Sequence, residues 1–249
     1  MPITIKNNEQ IEYMRIAGRI TAETLNVVEA YIKPGITTEE LNNAAEEFII
    51  SKGAYPSFKG YSGYPASICA SVNEEVIHGL PSKRKLVDGD IISIDVGVFI
   101  NGYHGDAART FAVGEIDDES QRLIDITRQS FFEGIKFAEE GYHLYDISKA
   151  IQNFVETNGF SVVRDYVGHG IGTNMHEPPQ IPNYKLPGRG PKLVKGMTLA
   201  IEPMVNMKVF DVDVLDDGWT VVTRDGKRSA HYENTVLITG GKPEILTII

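Results

Sequence analysis

Two stretches of the sequence return at a nearly constant offset, and this constrains the fold more than any other feature. Gly35, Leu41, Ala44, Phe48, Ile49 and Gly53 recur 106 residues later as Gly141, Ile147, Ala150, Phe154, Val155 and Gly159. Each set reads as the apolar stripe of a short helix bracketed by glycines. Thr37 with Glu40 three residues on adds a capping box to the first. A second match has an offset of 107. Lys85-Leu86-Val87-Asp88-Gly89, running on to Ile94-Asp95, returns as Lys192-Leu193-Val194-Lys195-Gly196, running on to Ile201-Glu202. Longer helical patterns, about 8–32 and 118–140, precede the short helices; the second short helix is expected over about 146–158. The chain therefore reads as a single α+β domain, 1–249, of two related halves, about 1–114 and 115–249. Each half is helix–helix–strands, and a pseudo-two-fold axis makes Asp95 and Glu202 counterparts.

Much of the remainder reads as strand. Residues 91–100 and 103–113 flank Asn101-Gly102, a two-residue hairpin signal. Residues 197–205, 208–214, 219–223 and 232–239 are further candidates. The Pro/Gly-rich stretch 178–191 reads as a surface loop. With the hairpin turn at Asn101-Gly102, Asp95 faces Ala108 and Asp106 faces Gly97, so the two acids are diagonal neighbours on one face. Asp95 lies in the apolar run Ile91-Ile92-Ser93-Ile94-Asp95-Val96-Gly97-Val98. A carboxylate buried there is costly unless it is paired or holds a metal. Arg109, opposite Ile94, points to the other face, which favours a bound cation over an arginine pair. Glu202, in Leu199-Ala200-Ile201-Glu202-Pro203, and Glu233, just before Thr235-Val236-Leu237-Ile238, sit in similar apolar settings.

Histidines complete the pattern. Gly168-His169-Gly170-Ile171-Gly172 reads as a glycine-rich turn that exposes an imidazole, because glycines let a backbone approach a metal or substrate closely. Its spacing and the missing Lys-Ser/Thr ending argue against a phosphate loop. His78, beside Gly79, and His176, before Glu177-Pro178-Pro179, are further candidates. Four carboxylates and one imidazole suit two Mn²⁺, Fe²⁺, Co²⁺ or Zn²⁺ ions sharing bridging carboxylates. Such a pair activates water and polarises a carbonyl. The residues alone thus point to a dinuclear metallohydrolase and leave the bond open.

Charge and composition remove other classes. The formal net charge of −10 argues against a nucleic-acid groove, which needs clustered Lys and Arg. One cysteine, Cys69, excludes a disulfide scaffold. No apolar run approaches the roughly 18 residues of a membrane span, and no signal-type segment opens the chain. A cytoplasmic monomer is the expectation.

The five candidate ligands, Asp95, Asp106, His169, Glu202 in Ile201-Glu202-Pro203, and Glu233 in Tyr232-Glu233-Asn234-Thr235, resemble in order and local context the metal ligands of methionine aminopeptidases. Val72-Asn73-Glu74 followed by His78-Gly79 resembles that family's first-half histidine motif. The resemblance spans nearly the whole chain. It implies the pita-bread (creatinase/aminopeptidase) fold, with a curved antiparallel sheet between the two halves. It is nearest to the short bacterial type I form, with no N-terminal extension and little room between His169 and Glu202 for the type II insertion. The implied activity is removal of the initiator methionine from nascent proteins and peptides with a small second residue, with two divalent ions per chain (Co, Mn, Fe or Zn).

The resemblance also implies roles. Asp95 chelates one ion, Asp106 and Glu233 bridge, and His169 and Glu202 complete the other position. A metal-held hydroxide attacks the scissile carbonyl, and Glu202 shuttles the proton. His176 stabilises the carbonyl oxygen, and His78 positions the amide. Tyr61, Tyr64, Cys69, Met175 and Trp219 resemble residues lining the methionine pocket, a role that apolar and sulfur surfaces suit. Two positions depart from the pattern. Met175 stands where an aromatic is common, and His231 stands where a neutral polar residue such as Gln is expected. His231 either tunes the nearby Glu233 or is solvated. Two other readings are a Pro-directed peptidase of the same fold, which usually carries an extra N-terminal domain, and a dead peptide-binding module, which typically loses metal ligands.

Overall fold

The computed structural model describes residues 2–249. Four helices form: α1 (Asn8–Tyr31), α2 (Thr38–Ser51), α3 (Asp118–Ile135) and α4 (Leu144–Thr157). Helices α1 and α2 bury Leu25, Val28, Leu41 and Ile49 against Ile68, Ile92, Ile94 and Val96 of the first-half strands. Helices α3 and α4 bury Leu123, Phe131, Ile147 and Ile151 against Leu199, Ile201, Val205 and Val236. Removing these apolar faces from water is the main favourable term in each half.

The hydrogen bonds at the repeated positions correspond. Gly35 N donates to Leu86 O and Gly141 N donates to Leu193 O. Thr37 bridges Lys85, and His143 bridges Lys192. Glu40 reaches back to Thr37 N at 2.8 Å, and Asp146 reaches back to His143 N at 2.9 Å. Asp146 is therefore the third residue of its helix, and α4 begins at Leu144, two residues before its sequence-based start. Thr37→Ala deletes the hydroxyl that accepts from Glu40 N. It should lower stability by about 1 kcal/mol, read as a lower urea midpoint at unchanged slope, whereas Thr37→Ser should keep most of it.

Helix α3 stops at Ile135, short of the expected 140. Phe137 N and Ala138 N donate to Gly134 O and Ile135 O, so the chain tightens into turns. Phe137, just past the helix end, sits edge-on to Tyr142 with centroids 5.5 Å apart.

The strand Ile91–Ile100 pairs with Tyr103–Ala112 in the register set by the Asn101-Gly102 turn, Gly97 opposite Asp106 and Asp95 opposite Ala108. Both turn residues have positive φ, 53° and 83°, as that turn requires. The other edge of Ile91–Ile100 pairs with Tyr55–Pro56 and Ile68–Val72. A second sheet runs Glu244–Ile245, Asn234–Leu237, Thr198–Ile201, Gly168–Gly170 and Glu177–Ile181. The two sheets join where Glu233 N donates to Ala108 O and Ala108 N to Glu233 O.

Several expected strands are shorter or divided. The 197–205 segment splits into Thr198–Ile201 and Met204–Asn206 at Glu202-Pro203, where proline has no N–H for a ladder. The 232–239 segment pairs only over Asn234–Leu237, and Ser229–His231 joins another sheet with Met204–Asn206. The 208–214 and 219–223 candidates pair over Val212–Val214 and Val221–Thr223. Gly168–Gly170 is a buried strand and not an exposed turn. Its glycines serve close packing: a Cβ on Gly168 would lie 2.4 Å from Ala200 O, and one on Gly170 2.2 Å from Pro178 O. The start of the expected 178–191 loop belongs to the strand Glu177–Ile181 for the same reason. No helix among the described residues is long and apolar enough to cross a membrane.

Candidate metal centre and substrate cleft

The strand register sets the acids in a row. Asp95 lies opposite Ala108, Ala108 exchanges two backbone hydrogen bonds with Glu233, and the Ile201–Asn234 pairing runs on toward Glu202 beside Glu233. Asp106 and Glu233 are 3% and 1% exposed. Glu202 O accepts from Asn183 Nδ2 at 2.9 Å, which holds the strand break in place. Asp106 N donates to Thr235 Oγ1, and that hydroxyl donates back to Asp106 O, tying the two halves together at the acids.

His169 enters this cluster from the Gly168–Gly170 strand. Its Nδ1 lies 2.9 Å from Gly170 O. A carbonyl only accepts, so the ring proton sits on Nδ1 and Nε2 presents a lone pair. That lone pair faces Asp106 Oδ2 at 3.7 Å and Glu202 Oε1 at 3.6 Å. Burial keeps the ring neutral, its pKa pushed down to about 3.

Burial drives the carboxyls the opposite way. Asp95 is pushed up to about 7, and Asp106, Glu202 and Glu233 are pushed well above the ordinary carboxylate range by burial and by one another. Arg109 does not neutralise their carboxylates. Its guanidinium donates to Ala108 O, Glu233 O and Asn234 Oδ1 and lies over the Tyr232 ring.

Asp95 Oδ1, Asp106 Oδ1, Glu233 Oε1 and His231 Nε2 are buried with no hydrogen-bond partner. Buried ligand atoms left unpartnered on adjoining side chains fit cations held between them, although Asp95 lies outside the two most compact groups. Two compact donor groups share Glu233: Asp106–His169–Glu233 and Glu202–His231–Glu233. His231 is 2% exposed, so the solvated alternative does not hold.

A cleft of about 390 Å³ opens over the acids. Tyr61, Tyr64, Cys69, Met175 and Trp219 all line it, together with His78 and His176. Tyr64 packs edge-on to Trp219, centroids 5.1 Å apart, and points its hydroxyl at Ile68 O and Gly79 O. Met175 also packs with Ile11 and Tyr103, so it is at once core and cleft wall. Burial pushes the Cys69 thiol up, which keeps it a neutral apolar wall and not a nucleophile. His176 Nδ1 pairs with Tyr61 Oη at 2.8 Å, and its ring lies 4.2 Å from that of His169.

His78 has φ of 58°, a conformation that non-glycine residues rarely adopt. It sits edge-on to Tyr166, 5.8 Å away. Phe58, Tyr166 and Gln180 also line the cleft and were not singled out from the sequence. Gln180 pairs directly with His169 across the strands, a placement that nothing in its local sequence signals.

This fold and site define a metallopeptidase: residues 12–240 match metallopeptidase family M24, and the chain belongs to that family. Within it, the chain is 61% identical over 247 residues to the methionine aminopeptidase of Clostridium perfringens (strain 13 / Type A), covering 99% of each. The crystal structure of methionine aminopeptidase from Thermotoga maritima superposes with a TM-score of 0.97 at 49% identity, covering all of both chains. A prolidase from Pyrococcus furiosus shares the fold alone, with a TM-score of 0.80 at 23% identity and 65% of its length covered.

Proposed function

We propose that the protein removes the N-terminal methionine from peptides and nascent chains whose second residue is small, with Asp95, Asp106, His169, Glu202 and Glu233 holding two divalent ions. The observation that carries the metal assignment is the lone pair of His169 Nε2 facing two carboxyl oxygens at 3.7 and 3.6 Å, gaps too long for hydrogen bonds. Divalent ions bound there acidify water and polarise a carbonyl.

The chain's own groups do the rest. Glu202, whose affinity for a proton is raised by burial and by Asp106 and Asp95, accepts a proton on its ionised carboxylate from the attacking water and passes it to the leaving amine. His176, steadied by Tyr61, donates to the scissile carbonyl oxygen as charge gathers there. His78, kept neutral by burial, orients the scissile amide. Tyr64, Cys69, Met175 and Trp219 exclude water around the methionine thioether. All the donors come from one chain, so a monomer suffices, and cytoplasmic action on nascent chains fits the role.

Hydrolysis of Met-Ala, Met-Lys and X-Pro peptides with added divalent metal tests the proposal. Methionine release from the first alone is expected. Cleavage of the X-Pro peptide in preference to Met-Ala would instead favour a Pro-directed peptidase, and no hydrolysis would favour the binding module.

A further inference from the structure

We propose that His231 is a sixth donor of the centre, so that Nε2 of His231 and the carboxylates of Glu202 and Glu233 form a second, nitrogen-bearing position for a divalent cation. The inference rests on the five-donor assignment above and extends it. His231 Nε2 lies 3.9 Å from Glu202 Oε2 and 3.9 Å from Glu233 Oε2. That is too long for a hydrogen bond to either, and Nε2 is buried without any partner. Three ligand atoms lie within 4.8 Å of one another, on buried His231 and Glu233 and on Glu202 at the cleft floor, and form a group as compact as Asp106–His169–Glu233.

The backbone aims the ring. His231 pairs with Met204 across the strands, and its N–H and C=O are both bound by the Thr110 hydroxyl. His231 also borders a cavity of about 440 Å³ lined by Arg109, Arg128 and Tyr232, so close packing does not enclose the residue on every side. Metal bonds of about 2.1 Å in a tetrahedral site separate donors by about 3.4 Å. The gaps of 3.9 Å need to close by only about 0.5 Å. The centre then carries two imidazoles, with Glu202 presenting Oε1 to His169 and Oε2 to His231, and with Glu233 belonging to both donor groups. An imidazole in place of an oxygen donor favours Zn²⁺ or Fe²⁺ over Mn²⁺.

X-ray absorption on the protein loaded with two equivalents of Zn²⁺ counts imidazoles directly. One imidazole per zinc is expected in the unaltered protein, and about half of one in His231→Gln. Direct titration should show the second Zn²⁺ bound about tenfold or more weakly in His231→Gln, with Mn²⁺ affinity little changed. Half an imidazole per zinc in the unaltered protein overturns the assignment of His231 while leaving the other five donors standing. Failure of the unaltered protein to retain zinc overturns both.

Discussion

Glu202→Gln is expected to lower kcat/KM on a Met-Ala peptide by roughly 10³-fold. The carboxamide keeps one oxygen that can face an ion, so the change falls mainly on proton transfer. Glu202 is suited to that task by position. It sits at the strand break before Pro203, among Asp106, Asp95 and His169, where burial and neighbouring acids raise its affinity for a proton. An ordinary surface glutamate would be too weak a base near neutrality. Steady-state kinetics at matched metal content, checked by elemental analysis, isolate the effect. Turnover within tenfold of the unaltered enzyme at equal metal content would remove Glu202 from the proton path.

The second large effect is on stability, and its sign depends on pH. In the metal-free protein Asp95 is pushed up to about 7, and the other three acids are pushed well up. Their unfolded values lie near 4, so above that pH the folded state keeps protons that the unfolded chain has released, and stability falls as pH rises. The buried histidines act oppositely: His78 is pushed down to about 4, and His169 and His231 to about 3. Their contribution is lost as pH falls below about 6.5, where the unfolded chain takes up protons first. The two trends oppose each other between about 4 and 6.5, and only the carboxyl trend operates above.

The metal-free protein should therefore lose thermal stability from about pH 6.5 to 8.5. Divalent metal binds the ionised carboxylates, so its stabilisation should grow over the same interval. At 100-fold excess over Kd the gain is about 2.7 kcal/mol, or roughly 5–10 °C in Tm for a chain of this size. Thermal scans with chelator and with metal at three pH values read this directly. A metal-induced gain that does not change with pH would contradict buried, protonated acids in the metal-free state.

The parts of the site written in local chemistry were legible in the sequence. Asn101-Gly102 admits one tight hairpin register, and that register alone puts Asp95 and Asp106 on a shared face. The repeated glycines marked both helix pairs and the Thr37–Glu40 cap marked the start of α2, whereas the His143–Asp146 counterpart went unread because histidine is not an ordinary capping residue. What escaped was set by long-range packing. Gly168–Gly170 resembles a turn until Ala200 and Pro178 press on it from either side, and only then do its glycines read as a buried strand. The breaks at Glu202 and Glu233 were hidden in apolar runs, because their pairing partners, Glu233 with Ala108 above all, come from the other half of the chain. His231 looked equally suited to solvent. Its burial depends on Met204 and Thr110, which nothing in its own neighbourhood announces.

The central claim is that these side chains together hold a pair of divalent ions. Anomalous diffraction from crystals of the metal-loaded protein, collected on either side of the metal's absorption edge, tests it directly. Two peaks are expected among Asp95, Asp106, His169, Glu202 and Glu233, with Glu233 contacting both. No peak there, or peaks confined to surface acids, would contradict the account.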